Sequence, residues 1–243
     1  GRDKFLKKNW EWKKISGNKI IDQLQRLGTS VDWSISRFTL DDGLSESVKK
    51  VFIELFNKGL IYQDKRLVNW DTVLETAVSD LEVNQKEIDG TLWFIKYKIK
   101  ESLDYLTVAT TRPETIFGDT AIAIHPENKD LKKFIGKYAS IPFLEKSIPI
   151  IADEYADPKK GSGAVKITPA HDFNDFLVGK RHNLDFINIF DKNAKLNENV
   201  PKKFSGMDRY KARNEILKYL DKSNLIEKKM KNKMIIPIGD RSG

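Results

Sequence analysis

At 243 residues the chain is long enough to bury a core and longer than the commonest single-domain size, so one main domain with an accessory segment is expected. The absence of cysteine excludes disulfides, zinc ribbons and cysteine nucleophiles, and three scattered histidines, His125, His171 and His182, do not suggest a metal cage, so neither a metal nor a cofactor is expected. A formal net charge of +8 favours a polyanionic partner, although a lysine- and asparagine-rich composition imposed by an AT-rich genome would give the same excess.

Residues 1–60 read as a helical connecting segment. Ile20, Ile21, Leu24 and Leu27 recur at helical spacing and stop at Gly28, which suits a left-handed cap. Leu44, Val48, Val51, Phe52, Leu55, Phe56 and Leu60 make a second apolar stripe that ends around Gly59. Trp10, Trp12 and Trp33 are expected to pack as core or interface rather than to stack on a ligand.

From residue 61 the pattern changes to short β-rich runs: Arg66 to Trp70, Leu92 to Ile99, Tyr105 to Thr110, Ala121 to Ile124, Ile148 to Ala152, Ala164 to Thr168 and Ile187 to Phe190. Turn formers bound them, among them Asp89-Gly90, Asp157-Pro158 and Gly161-Ser162-Gly163. Many short strands with few long helices between them indicate an α+β chain with a closed or nearly closed, β-barrel-like sheet, its core at about 90–200 within a domain of 61–238. A helix is expected from about Asp208 to Leu220, with Ala212, Ile216, Leu217 and Leu220 on its inner side. Met234 to Ile238 reads as a strand that leaves the domain and pairs with Arg66 to Trp70, followed by an exit segment at 239–243.

Two polar clusters stand at strand ends. Thr110, Thr111, Arg112, Glu114 and Thr115 follow the apolar run Tyr105 to Ala109, and Pro113 stiffens the turn. They can line a polar pocket, or form a hydroxyl-rich turn with Glu114 paired to Arg112. In the second cluster the strand alternation puts Lys166 and Thr168 on one side, and a short helix after Pro169 brings Asp172 and Asp175 within one turn. The two carboxylates can hold an ammonium opposite the lysine and hydroxyl. Equally, Asp172 can cap the helix, with Asp175 favoured by its positive end. His171, just before the helix, can orient water or serve structure. Gly161-Ser162-Gly163 lacks Walker A spacing and precedes a strand, so it reads as a tight turn.

Thr110-Thr111-Arg112-Pro113-Glu114-Thr115 with Ile116-Phe117-Gly118-Asp119-Thr120-Ala121, together with the run from Gly161 to Asp175, resemble the editing insertion of the class I aminoacyl-tRNA synthetases, and within that group the valyl type. Gln23 to Gly28, Asp32-Trp33-Ser34, Arg66 to Asp71, Ser79 to Val83 and Gly239 to Gly243 extend the resemblance over essentially the whole chain. The family's two ATP-site signatures, His-x-Gly-His and Lys-Met-Ser-Lys-Ser, do not occur here, so valine activation is not expected of this chain, which reads as an excised fragment. The resemblance implies hydrolysis of threonine wrongly esterified to tRNA(Val). Asp175 is expected to bind the α-ammonium. Asp172, Lys166, Arg112 and Thr115 are expected to bind the side chain, the ester end or the terminal adenosine, in a pocket that Thr110, Thr111, Thr168 and His171 also line. A positioned water is expected to attack the ester without metal or covalent intermediate. The implied partners are tRNA(Val), through its 3′-terminal aminoacyl adenosine, and the catalytic domain of the same polypeptide, in a monomer. No apolar run approaches the ~20 residues of a membrane span and no signal peptide is evident, so a cytoplasmic location is expected. A free-standing deacylase and a non-catalytic tRNA-binding module are the alternative readings.

Overall fold

The structure, a computed structural model, describes residues 1–243, which divide into two compact units, Gly1–Asp64 and Lys65–Gly243.

The first unit is helical: α1 (Arg2–Ser16), α2 (Lys19–Arg26) and α3 (Asp42–Asn57). Gly28 has φ +76° and closes α2 in the left-handed region where a side chain would be strained. Asp41 caps α3 by accepting from the Leu44 N–H at 2.8 Å. None of the three helices has a buried residue, and Val48, Val51, Phe52 and Phe56 of α3 stay exposed. Of the tryptophans, Trp10 meets Phe38 edge to face, its ring centroid 6.0 Å away, and Trp33 is half-buried. Trp12 is exposed and takes no part in a core.

The second unit is a mixed sheet with two helices. A small hairpin joins β1 (Asn69–Asp71) to β2 (Thr76–Val78). The main sheet contains β3 (Val83–Ile99), β4 (Tyr105–Thr110), β5 (Ala121–Ile124), β6 (Tyr138–Ser140), β7 (Ser147–Ala152) and β8 (Ala164–Ile167), in the order β4-β3-β6-β7-β5-β8. Helices α4 (Phe173–Arg181) and α5 (Arg209–Lys222) follow, and β9 (Ile226–Gly239) returns along β3. All pairings are antiparallel except β5 with β7. The two ends of the order, β4 and β8, approach each other, so the sheet curls into a half-barrel.

Strand β5 shows why the curl holds. All four of its residues are buried. Ile122 and Ile124 point into the main core with Ile95, Tyr97, Val108, Ile148 and Ile150, which α5 closes with Ala212, Ile216 and Leu220. Ala121 and Ala123 point the other way, into a second cluster with Ile167 and Val178 of α4. Large residues fill the interior and small ones admit the helix. Each large core side chain contributes roughly 1.5–3 kcal/mol by its burial.

Several sequence expectations are corrected. Met234 to Ile238 does not pair with Arg66 to Trp70; it belongs to β9, whose register against β3 runs from Val83↔Gly239 to Ile95↔Ile226. Asp71 gives β1 a local partner instead, because its Oδ1 accepts from the Val73 and Leu74 N–H groups at 2.9 Å and turns the chain back into β2. The entry and exit of the unit nevertheless meet, since Ser242 hydrogen-bonds Asp71 and Arg241 reaches Glu82 at 2.7 Å. Asp89-Gly90 is not a turn: Gly90 lies inside β3, where a Cβ would come within 2.5 Å of Met234 Sδ on the neighbouring strand. Ile187 to Phe190 is not a strand. It makes only an isolated antiparallel bridge, Phe190 to Leu196, with the Asn197 N–H donating to the Ile189 carbonyl at 2.9 Å, and its other backbone groups go to side chains, Ile189 N–H donating to His171 Nε2 at 3.0 Å and Asn197 and Asn199 donating to the Asn188 carbonyl.

Candidate functional site

Three chain segments converge where β4 and β8 end, around a cavity of about 210 Å³. Its wall includes Thr110, Thr111, Arg112, Thr115, Lys166, Thr168, His171, Asp172 and Asp175, together with Leu92, Ala109, Tyr155 and Val165. The structure therefore brings together the candidate residues of the two sequence clusters, with the exception of Glu114.

The first segment is a fully buried 3₁₀ turn, Pro113–Gly118, opened by Pro113 in a first-turn position where its missing N–H costs nothing. Thr110 Oγ1 accepts from the Arg112 N–H at 3.1 Å, and the Thr115 hydroxyl donates to the Arg112 carbonyl at 2.9 Å. Arg112 Nη1 donates across the cavity mouth to the His171 carbonyl at 2.6 Å. Glu114 turns away from the cavity. It lies 3.8 Å from Arg112 Nε, but its main partner is Arg213 of α5, which donates to both carboxylate oxygens at 2.7 Å.

The second segment is β8. Lys166 Nζ is buried and donates to Thr115 Oγ1 at 2.8 Å, to Asp119 Oδ1 at 2.8 Å and to Thr168 Oγ1 at 2.5 Å. Asp119, with no exposed surface, also accepts from the Thr168 hydroxyl at 2.7 Å and the Tyr97 hydroxyl at 2.7 Å. Burial and the Asp119 charge together push the Tyr97 phenol well above its usual range. Lys166 and Asp119 are thus a desolvated ion pair whose remaining valences are met by hydroxyls, the condition under which such a pair is tolerated.

The third segment is the start of α4. Asp172 is the cap, its Oδ1 accepting from the Asn174 and Asp175 N–H groups at 2.8 and 3.1 Å. Asp175 is 6% exposed and spends one oxygen on the Thr168 N–H at 2.8 Å. Burial raises its pKa to about 7, against the opposing pull of Lys166 and the Thr168 N–H and with help from Asp172 and Asp119. Gly179 holds the helix close to β8, since a Cβ there would stand 2.8 Å from the Pro169 ring. His171 is kept neutral, pushed down to about 3 by burial and by the Arg112 and Lys166 charges. Its Nε2 accepts from the Ile189 N–H at 3.0 Å, so the ring helps to fasten the 187–190 segment.

Four residues of the site were not singled out from sequence: Tyr97, Asp119, Tyr155 and Arg213. Asp119 had a signal, an acid between Gly118 and Thr120 ahead of the apolar run Ala121–Ile124. Arg213 and Tyr155 had none, because helix and turn surfaces carry such residues routinely.

The model of the tRNA synthetases class I (I, L, M and V) matches residues 1–240. The valine–tRNA ligase of Pelagibacter ubique (strain HTCC1062) is 54% identical over 242 residues, covering 100% of this chain and 28% of the relative. That of Caulobacter vibrioides is 51% identical over 263 residues, covering 100% of this chain and 29% of the relative. Dechloromonas aromatica (strain RCB) has one 53% identical over 242 residues, with 100% and 26% covered. The chain therefore spans under a third of these relatives' length. Among solved structures, a leucyl enzyme of Agrobacterium radiobacter K84, in a ternary complex with tRNA, matches with a TM-score of 0.46 and 17% identity over 93% of this chain and 36% of that one.

Proposed function

The chain belongs to the class I tRNA synthetases (I, L, M and V), and from that premise we propose that its cavity hydrolyses threonyl-tRNA(Val), as the editing part of a valine–tRNA ligase. Valine and threonine are nearly isosteric, so a pocket shaped for the apolar one cannot strongly reject the added hydroxyl. A second site must instead welcome that hydroxyl and leave valine without partners for its polar groups. A cavity walled by Thr110, Thr111, Thr115 and two carboxylates has that character.

One observation carries the reading: Asp175 is a buried carboxylate on a cavity wall with one oxygen engaged by the backbone, leaving the other for a ligand. An aminoacyl ester offers an ammonium, the natural partner of such a group. With the ammonium on Asp175, the ester lies towards the mouth, where Arg112 supplies positive charge and a water reaches the carbonyl carbon. Lys166 has its three N–H bonds committed within the protein. It acts by fixing Thr115 and Thr168 and by its field. Catalysis then rests on orientation and electrostatics, with the ester oxygen leaving on the terminal ribose and the water's proton passing to solvent or to the neighbouring ribose hydroxyl.

The test is deacylation of preformed threonyl-tRNA(Val) by this chain, with valyl-tRNA(Val) as the comparison substrate. Faster loss of threonine than of valine is expected. A chain that binds tRNA(Val) but hydrolyses neither ester would be a binding module, and equal rates on both would remove the proofreading role.

A further inference from the structure

Tyr97 stands on the core face of β3 between Ile95 and Ile99, fully buried and packed with Leu106 and Val108 of β4 in one apolar cluster. Phenylalanine would fill the same space, so packing does not account for the hydroxyl. That hydroxyl donates to Asp119 Oδ2 at 2.7 Å. The other oxygen of the same carboxylate accepts from Lys166 Nζ at 2.8 Å and from the Thr168 hydroxyl at 2.7 Å. Neither Tyr97 nor Asp119 lines the cavity, whereas Lys166, Thr168 and Thr115, which Lys166 also holds, do.

Stability does not account for the arrangement either, because a buried, fully hydrogen-bonded ion pair is often no more stabilising than apolar side chains of the same volume. What the network adds is placement. A carboxylate can turn about its side-chain bond and exchange the oxygens it offers. The Tyr97 hydroxyl, tied to Oδ2, fixes which oxygen faces the cavity wall. The Lys166 ammonium and the Thr168 hydroxyl then share Oδ1, and the Thr168 N–H is presented to Asp175 Oδ2 at 2.8 Å. Burial, aided by the Asp119 charge, keeps the phenol protonated, so it remains a donor throughout the working range.

We infer that Tyr97 is a positioning residue of the cavity, whose hydroxyl acts through Asp119 to hold the Lys166 ammonium and the Thr168 segment that engages Asp175. This rests on the functional reading above. Tyr97 itself touches no substrate. Without its hydroxyl, Asp119 Oδ2 is a buried acceptor lacking a partner. The carboxylate then turns to offer both oxygens to Lys166, which draws the ammonium away from the hydroxyls of Thr115 and Thr168 and loosens the strand end that meets Asp175.

Tyr97→Phe removes the hydroxyl and keeps the ring. Its control is Ile95→Val, two residues along the same core face, which lowers Tm without touching Asp119. Three quantities are read well below either Tm: single-turnover deacylation of threonyl-tRNA(Val), affinity for tRNA(Val), and the nitrogen-15 resonance of the Lys166 ammonium, assigned through its contacts with Thr115 and Thr168. For Tyr97→Phe the expected result is a rate about tenfold lower at unchanged affinity, with the ammonium resonance moved. Ile95→Val should keep both rate and resonance. An unmoved resonance, an unchanged rate, or an equal loss of rate in Ile95→Val would each overturn the inference. So would a Tyr97→Phe chain that does not fold, by making the hydroxyl a requirement of the fold. If the unaltered chain hydrolyses neither threonyl- nor valyl-tRNA(Val), the editing reading fails by itself, and the ammonium resonance alone decides whether Tyr97 holds Lys166.

Discussion

Replacing Asp175 with asparagine should make the protein more stable at pH 8 and slower in hydrolysis, two effects of opposite sign from one change of atom. The folded-state pKa of about 7 lies above the reference value of 3.8, so folding takes up a proton between those limits. The stability linked to that proton is fully present below about pH 4 and is lost as pH rises through 7. At pH 8 the folded protein therefore carries a desolvated carboxylate at a cost of up to about 4 kcal/mol. Asparagine keeps an acceptor for the Thr168 N–H but must place two amide hydrogens, so we expect roughly half of that gain, a rise in Tm of about 4–8 °C. The Tm gap should narrow as pH falls from 7 towards 4. Hydrolysis should fall at least tenfold and up to more than a hundredfold, because a buried partner of the substrate ammonium is worth about 2–5 kcal/mol. The pH profile supplies a second reading: kcat/KM of the unaltered chain should climb towards pH 7 as the free carboxylate ionises, and the variant should lack that limb. Thermal melts at pH 5 and 8 with single-turnover deacylation decide the matter. A variant with lowered Tm and a normal rate would refute the reasoning and leave Asp175 as a helix-start residue.

Lys166→Met should lower stability by about 3–5 kcal/mol, since Asp119 is left fully buried without its counter-ion, and pairing it with Asp119→Asn should recover much of the loss in denaturant melts. Arg213→Met should do the same to Glu114. If the pair only holds the fold, adding Glu114→Gln should restore both Tm and hydrolysis, whereas restored Tm with slow hydrolysis would show that it also sets the 3₁₀ turn of the cavity. Affinity for tRNA(Val) should fall with salt at a log–log slope of about −0.7 to −0.9 per phosphate neutralised, and a flat response would return the lysine excess to genome composition.

What could be read from the sequence divides along local and distant lines. Strands β4 and β5 and helix α5 were visible because their signals, alternation and helical periodicity, reside in the elements themselves. The first half of β3 was hidden: Asn84 to Gly90 is polar and ends in a turn-like Asp-Gly, and only its pairing with β9 makes it a strand. Ile187 to Phe190 failed in the opposite sense, with strand composition but with only an isolated bridge to Leu196, most of its other hydrogen bonds being claimed by the side chains of His171 and three asparagines. Within the cavity, the Thr110–Thr115 and Lys166–Asp175 runs announced polar chemistry at strand ends. Which groups those side chains would spend their hydrogen bonds on could not be read, because Asp119 is 47 residues from Lys166 and Arg213 is 99 from Glu114.

The paired strands β3 and β9 also form a long arm. Their root is at Val83↔Gly239, beside the Asp71–Ser242 and Glu82–Arg241 contacts, and Leu92, a cavity residue, stands nine positions along. At about 3.4 Å per residue that is an arm of roughly 30 Å. A rotation of about 5° at the root would carry the cavity mouth about 3 Å, the length of a hydrogen bond. On the function proposed above, the aim of the tRNA end at the cavity would depend on a few polar contacts far from the chemistry, the Asp71–Ser242 one part-buried and the Glu82–Arg241 one exposed. On that reading, substitutions at Asp71, Glu82, Arg241 or Ser242 are expected to change tRNA(Val) binding more than the single-turnover rate of a bound ester.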